Sequence, residues 1–130
     1  MLRLSDIRTY LLTGFPTAKI YQGFIDKTEN QCIGIFTRPN ASKIVAVGGS
    51  DNGTYSRLST SILIHWGQDT DVCETFADQV FEFLHYKKGI AVGSKYILFV
   101  DLEGAGPIDI QRDENNICEM VINADFYYTR

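Results

Sequence analysis

From Ile117 to Thr129 apolar and polar residues alternate. Cys118, Met120, Ile122, Ala124, Phe126 and Tyr128 fall on one side, and Glu119, Asn123, Asp125 and Thr129 on the other. Successive side chains of a strand point to opposite faces, so this pattern predicts a strand with one face in a core. Val121 and Tyr127 break the polar side; such apolar groups either fall there by chance or meet another subunit. A second long strand is predicted from Tyr55 to Trp66. Leu58, Thr60, Ile62, Ile64 and Trp66 face one way there, and Arg57, Ser59, Ser61 and His65 mostly the other.

Between Asp71 and Tyr86 the period becomes helical. Val72, Phe76, Val80, Phe83 and Leu84 form a stripe, Asp71 and Glu74 are spaced for a capping box, Lys87 and Lys88 suit the C-terminal end, and Gly89 stops the helix. Burying that stripe contributes about 1.5–3 kcal/mol per large side chain before entropy is subtracted. A shorter helix is predicted over Ser5 to Leu12, capped by Ser5-Asp6, with Ile7, Leu11 and Leu12 inward and Gly14 and Pro16 ending it. Three β-rich runs follow, Lys19–Ile25, Cys32–Thr37 and Lys43–Val47, separated by the turn signals Glu29-Asn30 and Arg38-Pro39-Asn40.

Gly48 to Thr54 holds three glycines besides turn-forming Asp51 and Asn52, and reads as an exposed loop. Tyr96–Leu102 reads as a strand, and Pro107 after it makes a central, fully paired strand position improbable there. The expected fold is α+β in the order α-β-β-β-β-α-β-β. It is a mainly antiparallel sheet with one long helix packed on one face and a short N-terminal helix, in a single domain over residues 1–130.

Composition narrows the function. An apolar share of 45% and a charged share of 22% are those of an ordinary globular protein. The net charge of −4 and a largest basic cluster of only Lys87–Lys88 argue against a nucleic-acid surface. No apolar run approaches the roughly 18 residues of a bilayer span, and the start lacks a charged region leading into a long apolar core. The expectation is a protein made and kept in a cytoplasm, with no membrane partner. Cys32, Cys73 and Cys118 are odd in number and widely spaced, which predicts buried, reduced thiols.

Chemistry is sparse. His65 and His85, the two histidines, stand in no metal-ligand spacing, so no metal site is predicted and each reads as structural or surface. No nucleophile sits in a recognised local frame, and Gly48-Gly49 lacks the Lys and the following helix of a phosphate loop. Asp113 to Asn116 fails the spacing of a calcium loop and reads as a tight turn into the last strand. Neither catalytic residues nor a cofactor are predicted. A small enzyme or ligand-binding module would have to gather His65, Asp69 and His85 around a cleft.

Three stretches carry a resemblance. The first is Leu58 to Trp66, a strand ending in His65, followed by a polar turn and a helix from Thr70 with an early Glu74, Ala77 and a final Leu84. The second is Pro107 followed by Gln111-Arg112-Asp113-Glu114-Asn115, with Gln111 and Asn116 where the family often has glycines. The third is the closing Val121-Ile122-Asn123-Ala124-Asp125-Phe126-Tyr127-Tyr128. Over roughly residues 55–130 the chain resembles the minor capsid and tail-terminator proteins of long-tailed bacteriophages. The first half resembles them only in the order of its elements.

That resemblance implies a non-enzymatic structural protein of the virion, assembled in the cytoplasm of a bacterial host. It implies a homohexameric ring that ends tail-tube growth and joins tail to head, with the tail-tube protein and a head-connector or stopper protein as partners. A neighbouring head-completion or stopper ring of the same assembly is the close alternative. In a ring one patch must fit a different patch of the same chain. The candidates are Asp51, Asn52 and Gly53 of the glycine-rich loop, Arg112, Asp113 and Glu114 of the charged turn, and Val121 and Tyr127. The Arg112 fork suits a carboxylate such as Asp51 or Asp125 of the next subunit, or else braces its own turn through Asp113 or Glu114.

Overall fold

The computed structural model describes residues 2–38, 55–85 and 87–129. Its elements are α1 (Leu4–Gly14), β1 (Ile20–Gln22), β2 (Gln31–Thr37), β3 (Tyr55–Trp66), α2 (Thr70–Leu84), β4 (Lys88–Val92), β5 (Lys95–Leu102), β6 (Ile108–Arg112) and β7 (Cys118–Thr129). The strands form one sheet in the order β1-β2-β3-β7-β5-β4, with β6 pairing β7 beyond the end of β5. Among the described strands only β1 and β2 run parallel. The protein is α+β with a mostly antiparallel sheet and two described helices.

The two long alternating patterns became the two central strands, paired from Tyr55 opposite Thr129 to His65 opposite Glu119. Residues opposite each other share a face, so the inward rows follow from the register: Ile33, Ile64 and Met120; Ile35, Ile62 and Ile122; Leu58, Phe126 and Val100. Both helices pack on this face. α2 lies on β3 and β7, while α1 touches β1 and β2 near one margin of the sheet and β4 at the other. The sheet therefore curls around its helices. The Lys95 ammonium, at the start of β5, closes the curl by donating to the Asp6 carboxylate on α1 at 2.7 Å.

Several expectations need correction: α1 is capped at Arg3, whose amide donates to Asp6 Oδ2 at 2.8 Å, and Ser5 lies inside the helix. The inward face of α2 is Cys73, Ala77, Val80, Phe81 and Leu84, while Val72 is 47% exposed and Phe76 and Phe83 are half-buried. The helix is turned by about one position because Phe76 and Phe83 pack sideways on α1 and its neighbours instead of down on the sheet. Phe76 lies edge-on to Phe15, and Phe83 contacts Tyr10 and Phe15. The helix is capped by Asp69, whose carboxylate accepts from the Asp71 amide at 3.0 Å, so no box forms from Asp71 and Glu74.

Lys88 and Gly89 do not finish that helix but begin β4, where Gly89 takes φ +68° beneath the Tyr96 ring. The strands β4 and β6 went unpredicted, and the run Lys19–Ile25 shrinks to three strand residues. The described order is thus α-β-β-β-α-β-β-β-β. The run Lys43–Val47 and the loop Gly48–Thr54 lie outside the described residues.

Candidate functional site on the uncovered face of the sheet

The face opposite the helices carries the polar halves of β3 and β7. Toward β2 it is covered by the chain that follows β1. Gly34 exists for this crossing, since a Cβ there would stand 2.4 Å from the Ile25 side chain. Over β7, β5 and β6 no described helix covers it. Rows across this face read, from one end, Phe99, Tyr127 and Arg57; Asp101, Asp125 and Ser59; Asn123, Ser61 and Phe36; Ile108, Val121, Leu63 and Gly34; and Gln111, Glu119, His65 and Cys32.

Each row has its own chemistry. Phe99, 44% exposed, stacks on Tyr127 with centroids 4.4 Å apart. Next to them Asp101 and Asp125 stand directly opposite one another, a like-charge pair that a sheet tolerates poorly. Arg38 relieves it by donating to Asp125 and, at 3.0 Å, to Glu103. Ile108, 45% exposed, sits opposite Val121. All five residues of β6 are exposed, and β7 is its one described sheet neighbour.

The last row holds the densest polar chemistry. His65 is fully buried, with Nδ1 at 2.9 Å from Glu119 Oε2 and Nε2 at 3.8 Å from Asp113 Oδ2. Those last two atoms are buried without a hydrogen bond. The other oxygen of Asp113 accepts the amides of Asn115 and Ile117, each at 2.9 Å. Cys32 stands beside His65 in register, but burial pushes its thiol up to about 11. A nucleophile needs the opposite shift; in this row Glu119 holds His65 through Nδ1, and the Asp113 carboxylate lies against the other ring nitrogen without a hydrogen bond. Burial likewise drives Cys73 up to about 12, and all three cysteines are free and buried.

The predicted contact residues are not gathered in one place. Val121 and Tyr127 do share the uncovered face, half-buried, in different rows. Arg112 braces its own chain: it donates to Gln68 O at 2.8 Å, Asn116 O at 2.9 Å and Thr70 Oγ1 at 2.6 Å, holding the chain just ahead of α2. Its partners are thus neither Asp113 nor Glu114, and Asp125 is held by Arg38. Asp113 is an interior brace with its side chain 7% exposed, whereas Glu114 is exposed. Asp51, Asn52 and Gly53 lie outside the described residues.

His65, Asp69 and His85 form no common site. Asp69 caps the start of α2 and His85 its end, and fifteen helical residues rise about 22 Å. The clefts lie elsewhere. One of about 790 Å³ opens between the end of α1, residues 28–31 and the Trp66–Phe76 pair, whose rings stack in parallel 3.6 Å apart. Another of about 340 Å³ lies across the same pair, along Asp71, Val72, Thr75 and Gln79. Sequence reasoning placed Val72 and Phe76 in the core; the only hint of this groove was their position on one edge of the stripe.

Among the described residues no cluster of three or more His, Cys, Asp or Glu has a metal-binding arrangement, and no helix is long and apolar enough to cross a membrane. No protein-family model matches the chain, and no curated protein matches its sequence.

Proposed function

We propose that this protein is a non-enzymatic structural subunit of a tailed bacteriophage or prophage, forming a homohexameric ring that ends tail-tube growth and joins tail to head. The observation that supports this best is the unity of residues 55–129. The strand, helix, charged turn and closing strand that carry the resemblance pack as one unit, in which β3 and β7 pair along nearly their whole length and Arg112 ties the charged turn to the start of α2. A subunit of this kind needs surfaces more than pockets. The uncovered face, with exposed Phe99 and Ile108 among carboxylates, and the fully exposed β6 provide them.

The partners on this reading are further copies of the chain, the tail-tube protein and a head-connector or stopper protein. The test is the mass of the protein in solution, free and mixed with purified tail tubes, together with negative-stain images. Closed rings with a hole of tail-tube width, seated on tube ends, are the expected result. A protein that stays monomeric in both settings overturns it. Rings that seat on the head connector and ignore tail tubes reassign the protein to the neighbouring stopper ring.

A further inference from the structure

The cleft of about 790 Å³ at the end of α1 falls within the roughly 300–1,000 Å³ of small-molecule sites. Its walls come from distant parts of the chain and are tied together without a guest. Lys19, past the end of α1, and Glu29, in the turn ahead of β2, both line it and pair at 2.8 Å. The Lys19 carbonyl accepts the Ile33 amide at 2.9 Å, and the Asn30 carbonyl accepts the Gly67 amide at 2.7 Å. The cleft is thus preformed, and a guest enters it without first ordering a loop.

Three kinds of group line it. Trp66 and Phe76 both border the cleft, and their parallel stack makes them one aromatic wall. Gln31 stands opposite Trp66 in the β2–β3 ladder, so its side chain leaves the sheet on the same face, beside that ring. Asn30 precedes it. Both are exposed, and among the described residues neither side-chain amide makes a hydrogen bond, so their donors and acceptors are free next to the aromatic wall. The Lys19–Glu29 pair adds a donor and an acceptor held side by side, whose charges cancel.

This lining selects a class of guest. An anion or a cation meets one member of the ion pair favourably and the other unfavourably, with no surplus charge to hold it. A wholly apolar guest strips water from two amides and an ion pair and gives them no hydrogen bond in return. A sugar ring suits all three: its C–H bonds pack on the negative faces of aromatic rings, and its hydroxyls, each donor and acceptor at once, match the amides and the paired charges. We infer that this cleft is a binding site for a neutral carbohydrate, a short run of pyranose units. The site is independent of the ring reading, which neither requires nor excludes it.

Trp66 is the only tryptophan of the chain, so its fluorescence reports on this cleft directly. The protein is titrated with the soluble tetrasaccharides of glucose, galactose and N-acetylglucosamine up to about 10 mM, and with inorganic phosphate and acetate as charged controls. A saturable change with at least one tetrasaccharide, and with neither ion, is the expected result. Gln31→Ala and Asn30→Ala, both at exposed positions, should each weaken that binding about fivefold, the loss of one neutral hydrogen bond, at an unchanged melting temperature. Silence toward all three sugars overturns the inference. Binding that both alanine variants leave unchanged overturns it too, since the guest then lies elsewhere, and so does an equal response to phosphate or acetate. A Trp66 signal that arises only on mixing with tail tubes, or on concentrating the protein, overturns it by assigning the cleft to a protein contact.

Discussion

The two sides of β7 answer to different demands. On the helix side Ile122, Ala124 and Phe126 are almost completely buried, and each is matched by an apolar or small partner across the sheet. One residue along in each case, Val121, Asn123, Asp125 and Tyr127 are half-buried, and they mix an aliphatic, an amide, a carboxylate and a phenol. The first side is a close-packed interior, where shape and volume decide what is tolerated. The second is a surface whose groups are held in place by specific pairs, such as Arg38 on Asp125 and Ser61 on Asn123. Stability is concentrated on one side of the strand, and the freedom to contact other molecules on the other.

The sharpest way to break that contrast is to truncate neighbours on opposite sides. Phe126→Ala should cost about 3–5 kcal/mol in urea unfolding, because a fully buried ring leaves a cavity. Tyr127→Ala should cost about 1 kcal/mol, the worth of its stack on Phe99. Equal losses at both positions would show that the second side is also a core.

His65, on the same face of neighbouring β3, is fully buried. His65→Ala should cost about 1–3 kcal/mol, since it leaves the Glu119 carboxylate oxygen facing a void without its partner. The variant should still assemble. A His65→Ala protein of unchanged melting temperature that fails the assembly test of the proposed function would make this row a functional site instead of a structural one.

An effect as small as that of Tyr127→Ala is expected where the curled sheet is tied to α1. Burial pushes the Asp6 carboxyl up, but hydrogen bonds from the Lys95 ammonium and the Arg3 amide outweigh it, and the group titrates below its ordinary range. A carboxylate lowered in the folded state adds stability above its unfolded value near 4, and that stability is lost as pH falls through the folded value. Asp6→Asn should therefore cost about 1 kcal/mol at pH 7. Its difference from wild type should close in thermal melts below about pH 4. A gap that persists unchanged at pH 2 would mean that Asp6 contributes only by shape.

Much of the architecture was legible in the chain because alternation and helical period are local properties. β3 spans Tyr55–Trp66 as predicted, and the inward residues of β7 are the six that the alternation marks. β4 and β6 were not legible. β4 starts at the Lys-Lys-Gly that ordinarily ends a helix and buries only Val92 fully, and β6 has exposed residues only, so neither shows a long buried face to alternate against. Of the candidate contact residues, Val121 and Tyr127 lie on the uncovered face, while Arg112, exposed, and Asp113, nearly buried, brace their own chain.

By itself the sequence determined the α+β class, the two central strands, the existence of α2 and the burial of the three cysteines. Each follows from the spacing of apolar residues along a few turns or pleats. Which face of α2 points inward, what Arg112 holds and where the grooves open were decided only in three dimensions. The cause is that these depend on partners far away in the chain. Phe76 turned toward Phe15 and Trp66, Arg112 found Gln68 and Thr70, and Gly34 made room for Ile25. No local period records such meetings, because they are settled by which surfaces the folded sheet brings within contact distance.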